Sequence, residues 1–151
     1  MARFTRLMLF VLLAWSATAR VTHGAEQRIA LVIGNSAYTD SPLANPANDA
    51  RLMSAALATL GFVVIERLDG GQKEMKLAIK DYGNRLEAAG HDAVGLFFYA
   101  GHGLQVDGEN YLIPIDALIE DPEDADINGV AASNLLKTIG RVFGPMRGGL
   151  A

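Results

Sequence analysis

A chain of 151 residues holds one domain of ordinary size, and with half of its residues hydrophobic it can build a core, which excludes a disordered protein. Its formal charge of −4 falls to −6 (11 basic against 17 acidic residues) once Arg3 and Arg6 are removed, which argues against a nucleic-acid partner that needs a basic face. The absence of cysteine excludes disulfides, thiolate zinc sites and a cysteine nucleophile within these residues.

Residues 1–25 read as a secretory signal: Arg3 and Arg6 make a positive start, Leu7 to Trp15 is an apolar run, and Ala17-Thr18-Ala19 offers a cleavage site, with a second after Ala25. The run is too short for a membrane-spanning helix, which needs about 20 residues. The expected product is therefore exported, periplasmic or secreted, with no membrane attachment after cleavage.

From residue 28 the pattern alternates strand and helix. Arg28 to Ile33 is a continuous apolar run rich in branched residues, as expected of a strand buried on both faces, and it ends at Gly34-Asn35. Asn45 can cap the helix that Pro46 opens, and Leu52, Met53, Ala56, Leu57 and Leu60 recur on one face of it before Gly61 stops it. Phe62 to Ile65 is the second strand and Asp69-Gly70-Gly71 a turn. Met75, Ala78, Ile79, Tyr82 and Leu86 stripe a second helix closed by Gly90, and Ala93 to Tyr99 is the third strand. Helices joining buried strands imply right-handed crossovers and a three-layer α/β sandwich with a mostly parallel sheet. Asp107-Gly108-Glu109 between two extended segments signals a hairpin. Residues 120–126 form an acidic loop, Ser133 to about Val142 a short helix, and residues 144–151 a glycine-rich tail. The domain proper is expected over residues 26–143.

In a parallel α/β sheet, ligands collect outside the C-terminal ends of the strands. Gly34 to Tyr38 and Gly101 to Gly103 both lie at such ends. A histidine between two glycines at that edge has little cover and faces a crevice, so His102 is the candidate functional residue. His23 and His91 read as incidental, and without an HExxH pattern a zinc site is not expected.

Four blocks now carry a family resemblance: Arg28 to Asn35, Asn45 to Ala50, Phe98 to Gly103, and Gly108 to Ala117. In that order and spacing they resemble the bacterial caspase-like cysteine peptidases, relatives of the metacaspases, over residues 28 to about 140. The resemblance implies a caspase-like fold and a histidine–cysteine dyad that cleaves polypeptides. His102 would take the thiol proton and later protonate the leaving amine, and the Gly103 N–H would help form the oxyanion hole. Asp49 matches an acidic position lining the first specificity pocket in metacaspases, which implies arginine or lysine before the scissile bond. As a first-turn carboxylate it also suits the helix dipole. The family's nucleophile follows the next strand, with the histidine about 50 residues upstream in caspases. That distance falls at the end of this sequence, so the expectation is a domain truncated before the cysteine-bearing strand and inactive as it stands.

Three other readings compete. A non-catalytic pseudo-peptidase that binds peptides or proteins would need no cysteine. A serine hydrolase could pair His102 with Ser36, although no Gly-x-Ser-x-Gly elbow surrounds any serine. No cofactor is expected, but Glu120, Asp121, Glu123, Asp124 and Asp126 leave calcium open, without an EF-hand spacing.

Overall fold

The computed structural model describes residues 26–144. The expected signal segment and the remainder of the tail lie outside the described residues. In chain order the elements are β1 (Arg28–Gly34), α1 (Pro46–Thr59), β2 (Phe62–Leu68), α2 (Gln72–Ala89), β3 (Val94–Ala100), β4 (Gly103–Val106), β5 (Glu109–Leu112), α3 (Asp124–Asn128), β6 (Val130–Ala131) and α4 (Ala132–Phe143). Among the described residues no helix is long and apolar enough to cross a membrane.

The first three strands form a parallel sheet in the order β2-β1-β3, with Arg28 opposite both Phe62 and Val94. The central strand explains the three layers. Because successive side chains of a strand point to opposite faces, Ile29, Leu31 and Ile33 enter one core, and Ala30 and Val32 the other. The first core is covered by α2, through the predicted stripe of Met75, Ala78, Ile79, Tyr82 and Leu86, and by Leu135 and Val142 of α4. The second is covered by α1.

Only β1 is buried on both faces; β2 and β3 are half-exposed strands at the two edges of the sheet. The α1 face also departs from the sequence pattern. Leu52 and Leu60 are 70% and 59% exposed, and Ala56 is exposed, while Pro46, Ala50 and Leu57 are buried. The reason is the close approach of α1 to the end of β1. A Cβ on Gly34 would lie 2.5 Å from both Ala50 Cβ and Pro46 O, so small residues together with Leu57, not Leu52 and Leu60, set the buried face. Asn45 makes no side-chain cap. The N–H of Ala47 instead donates to Ser36 Oγ at 2.9 Å, so the cap comes from the loop after β1.

The remaining strands form a separate antiparallel sheet, β4-β5-β6. The predicted hairpin turns at Asp107 and Gly108, whose φ values of 49° and 83° suit a two-residue turn with left-handed central residues. Two short elements were not legible in the sequence: β6, and α3, which begins inside the expected acidic loop.

Tyr82 is fully buried, and its hydroxyl has no hydrogen-bond partner among the described residues. Burial disfavours the phenolate and raises its pKa to about 12. The unfolded chain gives up this proton near pH 10, whereas the folded chain holds it until about pH 12, so stability falls as pH rises through that interval. One tyrosine contributes on the order of 2 kcal/mol to that fall. Tyr82→Phe is expected to fold as stably as the parent at pH 7, or up to about 1 kcal/mol more stably, because an orphaned polar group is removed. Urea titrations at pH 7 and pH 11 test both points. A less stable variant at pH 7, or an unchanged alkaline slope, would contradict them.

Candidate active site

The register that sets Gly34 opposite Ala100 brings the loops after β1 and β3 side by side. Asn35, the first residue after β1, is fully buried and staples three chain segments. Its backbone N–H donates to Ala100 O at 2.9 Å. Its Nδ2 donates to Gly70 O at 3.3 Å and Ile113 O at 3.2 Å, and its Oδ1 accepts from Gly70 N–H at 3.0 Å. Asp69 adds a second tie, its Oδ1 accepting from the N–H groups of Ser36 at 2.7 Å and Ala37 at 2.9 Å.

On this base His102 is held at backbone and side chain. Its N–H donates to Tyr38 Oη at 3.0 Å, and its carbonyl accepts from Tyr99 Oη at 2.7 Å and Ile113 N–H at 3.0 Å. The Tyr38 ring packs against the imidazole at 4.5 Å between centroids. The Nε2 lies 2.8 Å from Ser41 O. A carbonyl only accepts, so Nε2 carries the proton and the neutral ring keeps its lone pair on Nδ1. That is the form a general base needs.

His102 forms part of the wall of a cavity of about 450 Å³ shared with Tyr38, Asp40, Ser41, Gly103 and Ile115. Gly103 opens β4 opposite Leu112. Because Ile113 N–H bonds to His102 O, this is a non-hydrogen-bonded pair, and the Gly103 N–H is turned away from β5. Space beside Gly103 is open: a Cβ there would meet nothing closer than Tyr111 O at 3.5 Å.

Asp49 sits in the first turn of α1, exposed, and is not among the residues lining this cavity. The acidic groups in the cavity wall are Asp40 and Asp116, and Asp116 Oδ1 accepts from the Gln72 N–H at 2.9 Å. Ser36 does not join His102: its Oγ is engaged at the start of α1. In the acidic segment, Asp124 Oδ2 accepts from the N–H groups of Glu120 and Asp121. Among the described residues no group of three or more histidine or carboxylate side chains is placed to hold a metal ion. Asn35, Tyr38 and Tyr99 are the site residues to which the sequence reading assigned no role. The only signal for them was their position, at or just beyond strand ends flanking the histidine.

Residues 27–140 match the sequence pattern of the caspase domain, peptidase C14. The chain belongs to the caspase domain family. Over 114 residues, 75% of its length, this caspase domain is 32% identical to the human mucosa-associated lymphoid tissue lymphoma translocation protein 1, and equally to the mouse homolog. The chain spans 13% of the length of these curated relatives. The caspase-like α/β architecture expected from the sequence is thus the one observed, with a three-stranded parallel sheet between helical layers.

Proposed function

We propose that this caspase domain serves cysteine-type endopeptidase chemistry on polypeptides, cleaving after arginine or lysine, with the thiol supplied from outside these 151 residues. The observation that carries the reading is the fixed His102 ring, whose Nε2 is committed to the Ser41 carbonyl and whose Nδ1 is left as an acceptor. In the proposed reaction Nδ1 takes the thiol proton and the thiolate attacks the peptide carbonyl carbon. The Gly103 N–H donates to the oxyanion that forms. As the tetrahedral intermediate collapses, the imidazolium returns its proton to the leaving amine, and water then hydrolyses the thioester. In this reading Asp49, exposed in the first turn of α1 and outside the cavity that His102 lines, favours a basic residue before the scissile bond through its charge, from beyond that wall. Among the described residues the outer edge of β3 has no pairing strand, which is consistent with a further strand beside it, bearing the cysteine. We also propose that residues 1–25 direct export.

The test is to read the coding sequence past codon 151 and assay the protein with whatever follows. A frame that continues into a cysteine-bearing strand is expected to give cleavage of arginine and lysine reporters and not aspartate ones. His102→Ala should lower the rate by about 10²–10⁴-fold, and Asp49→Asn should erode the basic preference. The mature protein recovered outside the cytoplasm should begin at Arg20 or Glu26. If no cysteine follows, the peptidase reading fails and a peptide-binding role replaces it.

A further inference from the structure

We infer that Tyr38 is a positioning residue for His102, one that holds the histidine's backbone and at the same time delivers the carbonyl that fixes its tautomer. The inference rests on the reading of His102 as the base, but its observable consequences do not depend on catalysis.

The hydrogen bonds around Tyr38 leave little freedom. A tyrosine hydroxyl has one proton to give. The Tyr38 Oη accepts from His102 N–H at 3.0 Å, and its own proton goes to Ile113 O at 2.9 Å. The Tyr99 proton goes to His102 O at 2.7 Å. The 3.3 Å approach of the two hydroxyl oxygens therefore has no proton left to occupy it, and the three protons tie His102 to Tyr99 of β3 and, through Tyr38, to Ile113. The two tyrosine hydroxyls, side by side, thus hold the histidine's N–H and C=O.

Tyr38 also works through its own backbone. Its N–H donates to Ser36 O at 3.0 Å, and Leu43 N–H donates to the same oxygen at 2.9 Å, closing the loop that carries Ser41. The ring lies against the imidazole at 4.5 Å with a 56° tilt, blocking rotation on that side. One residue therefore couples the loop bearing the acceptor to the loop bearing the histidine. Without the hydroxyl the two loops lose one of their links, the one to the His102 N–H, and the Nε2–Ser41 bond, which selects the tautomer, loosens.

The 151-residue chain can be tested directly by NMR, without a cysteine and without activity. In the parent, the His102 amide is expected to exchange at least about tenfold more slowly than an unprotected amide, with Nε2–H as the dominant tautomer. Tyr38→Phe should remove most of that protection and lower the Nε2–H share, leaving the amides of β1 and α2 unchanged. Tyr82→Phe, remote from the site, should leave His102 as in the parent. A folded Tyr38→Phe protein with unaltered His102 exchange and tautomer would make Tyr38 a packing residue only and overturn the inference. Should that variant not fold, the parent alone decides: an unprotected His102 amide or a dominant Nδ1–H tautomer overturns it equally. Failure of the peptidase assay with these signatures intact would count against the proposed reaction and not against the role of Tyr38.

Discussion

Asn35→Ala is expected to destabilise the fold by about 3 kcal/mol, a large share of the 5–15 kcal/mol that holds a typical domain together. The substitution deletes the side-chain hydrogen bonds to Gly70, Ile113 and Met75 at a fully buried position. The cost is concentrated at the Gly70 N–H, which loses its acceptor, whereas Gly70 O keeps the Ile115 N–H. Ile113 O loses less, because Tyr38 Oη still donates to it. Asn35→Asp should cost at least as much as alanine. It keeps an acceptor for the Gly70 N–H but sets a carboxylate oxygen against two carbonyls, Gly70 O and Ile113 O, and buries a charge. Urea unfolding followed by circular dichroism measures both, with an unchanged slope expected for the alanine variant. A midpoint within experimental scatter of the parent would show that these loops are held by something other than the Asn35 amide.

Gly101→Ala is expected to cost about 1–3 kcal/mol and to displace His102, although it adds only one methyl group. The new Cβ would lie 2.5 Å from Tyr99 Oη, 2.7 Å from Tyr38 Oη and 2.8 Å from Tyr99 Cζ. Neither hydroxyl can swing aside cheaply, since each is already hydrogen-bonded to the histidine backbone or to Ile113. The loop carrying His102 must shift instead. Gly103→Ala is the control two residues away. Its Cβ would meet Tyr111 O at 3.5 Å, an ordinary contact, so stability should be unaffected. Thermal unfolding and the His102 amide shift separate the two variants. Equal stability of the two would remove close packing as the reason for a glycine at position 101.

Much of this structure is written in hydrophobic periodicity, and its failures have one cause. The α2 stripe was legible in full because that helix lays large apolar residues on a sheet face, so the pattern and the buried face coincide. The α1 stripe was not, because the helix docks at Gly34 through Pro46 and Ala50, leaving Leu52 and Leu60 in solvent. Periodicity gives weight to large residues, and here the contact is made by small ones. Similarly, β1 announced itself by a run buried on both faces, whereas β3 is as apolar but lies at the sheet edge, half-exposed. Composition reports the fitness of a segment to be covered; it does not report its place in the strand order.

The sequence by itself determined the α/β class, the helix and strand alternation behind its sheet, and a histidine between glycines at the C-terminal end of a strand. These follow from local pattern, in which each residue is read against neighbours a few positions away. Only the tertiary structure decided that Ser36 caps α1, that Tyr38 and Tyr99 grip His102, that Ser41 fixes its tautomer, and that Asp49 lies outside the cavity His102 lines. Most of these pairings join residues far apart in the chain, 61 positions for His102 and Ser41 and 64 for His102 and Tyr38. They exist because parallel pairing sets the ends of β1 and β3 side by side, and no local preference of either loop encodes that meeting.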